Sequence, residues 1–327
     1  RPIRSQAPFS SKRNSLVTTL PSISCFIFVA RSDASFIRET LPGLCVMVEK
    51  ADCHTKVIVD ASDPNGVLGT TLQQSKLAEV LEALEEIRES SSFEIEVFSA
   101  SPEQVRKLSK IHLGKTYTET HCFRGYPIHG SFRQFHNHGS EYVLHLDCDM
   151  IFHEEPEYSW IKEGIKLMEQ NPDIACVLPR GGPPTDNGSL HQGTTEYKVD
   201  NERNAYLFKN FTSRHYLVNR KRFMELLPMK PLWLSWREPL KSMFFGNGKM
   251  LCWESMVGHA MEGSSFWRAD LMSHKAWSIH PGERSEKFHN LLPRVINRIN
   301  QGEYPNEQAG HFDLILDSWE NFINEKN

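Results

Sequence analysis

Residues 142–152 read Tyr-Val-Leu-His-Leu-Asp-Cys-Asp-Met-Ile-Phe, an apolar run that leads straight into two carboxylates, Asp147 and Asp149. Such a run is a buried strand, and a buried strand needs cover on both faces. At period two, Asp147 and Asp149 leave the sheet on the same side, where paired negative charge favours a hard divalent cation. A cation held there keeps coordination positions open for a phosphate or a diphosphate. His145, inside the same run, is read as core packing that points away from the acids.

The rest of the chain alternates strand and helix patterns. Residues 24–30 and 56–60 are β-rich runs, the second ending in Asp60, with a short helical stretch at 36–44 between them. In residues 75–90, Leu77, Val80, Leu81, Leu84 and Ile87 recur at helical spacing, with Glu and Lys on the other face. Residues 94–99 alternate like a strand. Ser101 then caps a helix, with Pro102 in its first turn and Gln104 closing a capping box. Helices at 130–138, 161–170 and 291–299 and a strand at 175–179 complete the pattern. Alternation of this kind predicts an α/β fold with a mostly parallel central sheet flanked by helices. Ligands on such sheets gather at the carboxyl ends of the strands, where Asp60, Asp147 and Asp149 all fall.

The chain has 327 residues, 39% hydrophobic and 10% aromatic, enough for a substantial core. A net charge of −4 gives no general reason to expect nucleic acid or anionic lipid as a partner. No apolar run approaches the roughly 18–20 residues that span a bilayer. Residues 1–21, with Arg1, Arg4, Lys12 and Arg13 among Ser, Thr and Pro, read as a flexible tail or the remnant of a basic targeting segment. Seven scattered cysteines without a CxxC pair indicate reduced thiols and a cytoplasmic protein. The sequons at Asn187 and Asn210 keep open a secretory lumen, reached after loss of an N-terminal segment. The polar stretch 180–204 reads as a lid or a mobile insertion. The aromatic-rich stretch 231–253 reads as an acceptor groove or a core edge.

The strand at 24–30, the strand end Val57-Ile58-Val59-Asp60-Ala61-Ser62-Asp63 and the run 144–149 resemble the nucleotide-binding half of a GT-A-fold glycosyltransferase, most similar to the family 2 type. The family's second-strand pattern, several apolar residues and then Asp-Asp-x-Ser-x-Asp, stands here shortened to Val-Asp-Ala-Ser-Asp. The resemblance spans about residues 22–290. It implies a GT-A-type, Rossmann-like domain at 22–285, with a nucleotide-sugar-binding half at 22–152 and an acceptor-binding half at 153–285. Residues 286–327 would follow as a helical extension.

The resemblance also implies roles. Ala30 and Arg31 would line the nucleobase and ribose, and Asp60 would accept a hydrogen bond from the base. Asp147 would face the ribose or the metal, and Asp149 would bind a Mn2+ or Mg2+ ion that bridges the donor diphosphate. His280, with His274 behind it, would complete the metal site, neutral imidazole being a good ligand for manganese-class ions. Arg284 would contact the diphosphate through its planar fork. Arg133, just upstream with Arg124 and His129, would reach the phosphates or donor sugar, or else lie on a solvated helix face. Glu254 would be the catalytic base, with Trp253 stacking on a sugar; Asp270 and Glu238 are its competitors.

The implied activity is transfer of a sugar from a nucleotide-diphosphate donor, UDP-linked, to an acceptor hydroxyl, with inversion. The acceptor (glycan, lipid, peptide or small molecule) is left open, and nucleic acid is not among the partners. Three other readings compete: a phosphatase of the haloacid dehalogenase type with Asp147 as nucleophile, a sugar-nucleotide-binding protein without turnover, and a nucleotidyltransferase. The phosphatase normally carries its Asp-x-Asp on the first strand and adds a later Gly-Asp-x-x-x-Asp, of which only Asp313-x-x-x-Asp317 comes close.

Overall fold

Strand β1 (Ile23–Val29) is buried almost throughout, and its alternating side chains feed two separate cores. Cys25, Ile27 and Val29 enter one apolar cluster and Phe26 the other. The structure is a computed structural model that describes residues 22–61, 76–136, 139–191, 196–246 and 248–325. β1 stands beside β2 (His54–Asp60), β3 (Glu94–Phe98) and β4 (Tyr142–Asp147) in the order β3-β2-β1-β4, all parallel. Helices α1 (Ile37–Lys50), α2 (Lys76–Arg88), α3 (Pro102–Leu113) and the short α4 (His129–Arg133) lie in the crossovers. Parallel strands joined by helical crossovers are a Rossmann-like arrangement.

Local signals explain much of it. In α2, Val80, Ala83, Leu84 and Ile87 are buried. Ser101 caps α3 by accepting from the Gln104 backbone N–H at 3.3 Å, and Gln104 accepts from the Ser101 N–H at 2.9 Å. That helix stops at Gly114, whose φ of 72° lies in the left-handed region that glycine adopts without strain.

Downstream, β5 (Ile151–Glu154) leads into α5 (Trp160–Gln170), β6 (Ile174–Leu178) and β7 (Arg180–Gly181). Then come β8 (Lys198–Asp200), β9 (Ala205–Phe208), β10 (His215–Asn219) and α6 (Arg220–Met224). Helices α7 (Glu238–Phe245) and α8 (Trp253–Glu262) precede β11 (Trp267–Leu271) and β12 (Ala276–Ile279), and α9 (Glu286–Asn300) and α10 (Leu316–Glu325) close the chain. The large sheet runs β3-β2-β1-β4-β10-β6-β11-β9-β8. β10 is antiparallel to both β4 and β6, and β9 to both β11 and β8, so the sheet is mixed around a mostly parallel core. A second, three-stranded sheet has the order β5-β12-β7.

The structure departs from the sequence reading in several elements. Helix α1 runs to Lys50, past the expected end at 44, because Cys45, Met47 and Val48 continue its buried face. The helix expected at 130–138 is a five-residue turn of helix. The stretch 180–204 is no free lid in its described part. Arg180 is fully buried and donates to the Tyr206 hydroxyl at 2.7 Å and the Ser189 carbonyl at 2.9 Å. The Gly182 N–H bonds the Ser278 carbonyl at 2.8 Å, and the Gly310 N–H bonds Pro183 at 2.7 Å. Residues 192–195 of that stretch, the tail at 1–21, and Ser62 and Asp63 lie outside the described residues.

Helices α9 and α10 contribute Phe288, Leu291, Leu292, Val295, Ile299, Leu316, Trp319 and Ile323 to the same core as α1 and β1. Ser285 caps α9 by accepting from the Phe288 N–H at 3.3 Å. That cap fixes the position of the residue before it, Arg284.

Candidate functional site

Strand β4 ends at Asp147, and the next two residues form a turn closed by the Met150 N–H on the Asp147 carbonyl at 3.1 Å. The period-two expectation therefore stops one residue too early for Asp149. The turn feeds β5, which pairs antiparallel with β12 in the register Ile151 opposite Ile279. Two residues before Ile151 and just after Ile279, the chain places Asp149 beside His280 and Arg284. The small sheet is thus what assembles the site.

Asp149 is buried to 2% exposure. Its Oδ2 accepts from Arg284 Nη2 at 2.5 Å and lies 3.8 Å from His280 Nε2. Its Oδ1 is buried without a hydrogen-bond partner among the described residues. The second guanidinium nitrogen of Arg284, Nη1, donates to Asp33 Oδ1 at 2.9 Å. Asp33 sits in the short 3-10 turn after β1, where its Oδ2 accepts from the Ala30 N–H at 2.7 Å and from the Cys148 thiol at 3.0 Å. Burial pushes the Asp33 carboxyl above the usual range, against the pull of Arg284 and of these two donors. His280 is held from behind by Asp313 Oδ1, 3.3 Å from its Nδ1.

Asp147 takes different partners. His145 Nε2 lies 3.2 Å from its Oδ1, and Arg214 Nη1 donates to its Oδ2 at 3.4 Å. Burial raises the Asp147 carboxyl, but the His145 hydrogen bond and the charges of His145, Arg214 and His280 outweigh it and hold the group below its ordinary value. The expectation that His145 points away from the acids is wrong. Residues 145 and 147 are two apart on one strand and share a face, and His145 also stacks on Tyr216 with centroids 4.7 Å apart.

The residues expected to line the nucleotide cluster at the ends of β1 and β2. Arg31 is buried, donates from Nη2 to the Ala61 carbonyl at 2.6 Å, and leaves Nε and Nη1 without partners among the described residues. Ala30 is exposed beside it. Asp60 ends β2, and its negative charge acts on His121. Arg133 is engaged elsewhere. Its guanidinium pairs with Glu96 and lies over the Phe98 ring at 4.8 Å, which ties it to the edge strand β3.

On the opposite side, Glu254 sits in the first turn of α8, half-buried. Its Oε2 accepts from the Ser213 N–H at 2.9 Å and from the Ser213 hydroxyl at 2.8 Å. Because Arg214 follows Ser213 and reaches Asp147, consecutive residues connect Glu254 to the end of β4. The start of α8 is also tethered through Cys252, whose Sγ lies 3.0 Å from Cys122 Sγ. The hydrogen bond from Cys252 is the largest influence that draws the Cys122 thiol down to about 6, against its burial.

Trp253 is no sugar platform. It is 3% exposed and packs on Phe135, Phe211, Tyr216 and Phe223. Neither competitor base is available. Asp270 is locked by Arg268 through two bonds of 2.8 Å in the core, and Glu238 is held by Lys241 and by the Lys249 N–H. His274 lies on the β5–β12 side, in a cleft with His153, Trp277 and Tyr304, away from Asp149.

Among the described residues, no three His, Cys, Asp or Glu side chains are placed to cage a metal ion. The open Asp149 Oδ1 and the nearby His280 form a partial donor set instead. The carboxylate oxygen is of the kind Mg2+ or Mn2+ takes, with water and substrate phosphate completing the shell, whereas the His280 imidazole is a softer donor than Mg2+ prefers.

No protein-family model matches the sequence, and no curated protein sequence matches it. Among solved structures, the chain is similar to a UDP-glucose pyrophosphorylase complexed with UDP-glucose, with 11% identity, a TM-score of 0.46, and coverage of 86% of this chain and 100% of that one. It is also similar to residues 1–349 of S. aureus TarS, with 11% identity and a TM-score of 0.41 over 85% of this chain and 65% of that one. A third is the mannosyltransferase PcManGT from Pyrobaculum calidifontis with GDP-Man and Mn2+, at 10% identity and a TM-score of 0.34, over 65% of this chain and 48% of that one. Likenesses this distant carry no argument about the chemistry of this chain.

Two residues of the cluster escaped the sequence reading, Asp33 and Arg214. Asp33 had one usable signal, a carboxylate just past the end of the first strand. Arg214 had none, because its place depends on the antiparallel pairing of β10 with β4.

Proposed function

We propose that the chain is a glycosyltransferase that passes a sugar from a UDP-linked donor to an acceptor hydroxyl with inversion. The observation that carries this reading is the Arg284 bridge between Asp33 and Asp149, beside an Asp149 oxygen buried without a donor among the described residues. An unsatisfied buried carboxylate oxygen is costly, and a cation arriving with its ligand relieves it.

The donor lies across the carboxyl ends of β1, β2 and β4. Ala30, Arg31 and Asp60 face the nucleoside, Arg31 with two nitrogens to offer. Arg284 and Arg214 flank the diphosphate and oppose the negative charge that grows as the sugar–phosphate bond breaks. Asp149 and His280, with Asp147 beside them, would hold a divalent ion, which supplies further charge neutralisation at the departing diphosphate. Glu254 accepts the proton of the acceptor hydroxyl as that oxygen attacks the anomeric carbon, and UDP departs from the opposite face. Ser213 keeps the Glu254 carboxylate fixed while Arg214, its neighbour, stays on the donor side.

The phosphatase reading loses ground because the Asp-x-Asp ends β4, the fourth strand in the chain, and of the Asp313-x-x-x-Asp317 pair only Asp313 reaches the site, through His280, while Asp317 pairs with Lys287 at 2.5 Å. A thermal-shift screen of nucleotide-sugars with and without Mn2+ tests the proposal. The expected result is a metal-dependent rise in melting temperature with UDP-sugars, followed by UDP release when an acceptor is found. Pyrophosphate release from a nucleoside triphosphate and a sugar phosphate would make the protein a nucleotidyltransferase instead. Aryl-phosphate hydrolysis lost in Asp147→Asn would make it a phosphatase.

A further inference from the structure

Helix α7 is inside out. A surface helix normally turns its apolar stripe inward and its polar face to water. Here the buried side chains are Glu238 and Ser242, whereas Leu240, Met243, Phe244 and Phe245 are 52%, 79%, 72% and 76% exposed. Just before the helix, Leu234 and Trp236 add side chains that are 52% and 76% exposed. Six large exposed apolar residues within twelve positions, with Leu240, Met243 and Phe244 at i, i+3 and i+4 on one helix face, are a concentration of the kind that marks a docking surface.

The exposed charges of the segment 230–249 itself are basic. Lys230, Arg237, Lys241 and Lys249 are exposed, and Arg237 lies over the Trp236 ring at 5.0 Å. Glu238 is the only acid in residues 230–249, and it faces inward onto Lys241 Nζ and the Lys249 N–H. The chain as a whole carries −4, so this basic rim is local. Aromatic and aliphatic side chains ringed by Lys and Arg match the interface of a bilayer that contains anionic lipid, where rings enter the headgroup layer and cations meet phosphates. A second copy of this chain fits less well, because a two-fold contact would bring one basic rim against the other.

We propose that the α7 patch docks the protein on an anionic phospholipid surface. The patch is held rigidly to the side of the molecule that carries Glu254. The Leu234 N–H bonds the Lys249 carbonyl at 3.0 Å and the Leu251 N–H bonds the Leu232 carbonyl at 2.9 Å, and three residues after Leu251 comes Glu254. In this proposal the α7 face lies in the membrane interface, and no helix of the described residues is long and apolar enough to cross a membrane.

The test is co-sedimentation of the purified protein with vesicles of phosphatidylcholine alone and of phosphatidylcholine mixed with phosphatidylglycerol. The expected result is binding to the mixed vesicles that weakens with added salt. Phe244→Ser combined with Phe245→Ser should lower that binding by about tenfold or more. Both side chains are exposed, so the melting temperature should not move, which separates lost docking from lost folding. Arg237→Gln combined with Lys249→Gln should weaken binding to the mixed vesicles and leave binding to phosphatidylcholine unchanged. Absence of the protein from both vesicle pellets, or equal binding by the Phe244/Phe245 variant, would overturn the proposal. So would a self-association in sedimentation velocity that the same variant abolishes, which would assign the patch to a second copy.

Discussion

Arg284 Nη2 donates to Asp149 Oδ2 at 2.5 Å while its Nη1 holds Asp33 at 2.9 Å, so one guanidinium joins the end of β1 to the turn after β4. Its position follows from the Ser285 cap of α9 and from the β5–β12 pairing, both remote from the donor side in sequence. In Arg284→Gln, two buried carboxylates lose their shared cation. Since Arg284 is about a third exposed, the expected destabilisation is discounted to about 1–3 kcal/mol. Urea denaturation measures it, and UDP affinity in the same variant should fall by about tenfold or more.

Glu254→Gln should leave UDP binding intact and lower transfer by about 100-fold to 10,000-fold, the usual contribution of a positioned general base. Ser213→Ala removes the hydroxyl that orients Glu254 but keeps the N–H bond. Its effect should be smaller and confined to kcat. Calorimetry with UDP and initial rates of UDP release check both variants, and full turnover in Glu254→Gln would remove it as the base.

Much of the β1–β4 half was legible in the sequence because it depends on local signals. The apolar run of β4, the capping box at Ser101 and the helical spacing of α2 each fix an element with near neighbours in the chain. Asp60 and Asp147 close parallel strands, β2 and β4, and Asp149 follows in the turn after β4, so their placement at the carboxyl end of the sheet follows from the strand pattern alone. What could not be read was long-range register. The insertion of β10 between β4 and β6 brings Arg214 to Asp147, and the β5–β12 pairing brings Arg284 to Asp149. Arg133 was misplaced for the same reason: its partner, Glu96, lies on a strand whose position beside β2 is set by the whole sheet. Trp253 showed the opposite ambiguity, since a tryptophan beside a candidate base is as readily a core residue, and here it is one.

The acid limb of stability should begin before the carboxylates titrate. Burial holds His129 down to about 4 and His215 to about 3, from an ordinary value of 6.5. The unfolded chain therefore takes up protons below pH 6.5 that the folded chain refuses. Stability is fully present above that value and is lost as the pH falls toward the folded-state values, at up to about 1.4 kcal/mol per pH unit for each such imidazole. Urea midpoints between pH 7 and pH 4 measure this. His129→Gln should flatten the slope.

Asp270 is 1% exposed and shares two hydrogen bonds with Arg268, itself 3% exposed. Asp270→Ala strands a buried guanidinium and should cost about 3–5 kcal/mol. A thermal melt reads that cost, and UDP affinity in whatever fraction stays folded should match that of the unaltered chain, because this pair braces β11 rather than touching the donor.

The most direct test of the central claim is a calorimetric titration of UDP into the unaltered chain, Asp149→Ala and Arg284→Gln, each with and without Mn2+. The account expects binding that Mn2+ strengthens in the unaltered chain, loss of the Mn2+ effect in Asp149→Ala, and weakened binding in Arg284→Gln under both conditions. Identical UDP titrations for all three proteins would contradict it.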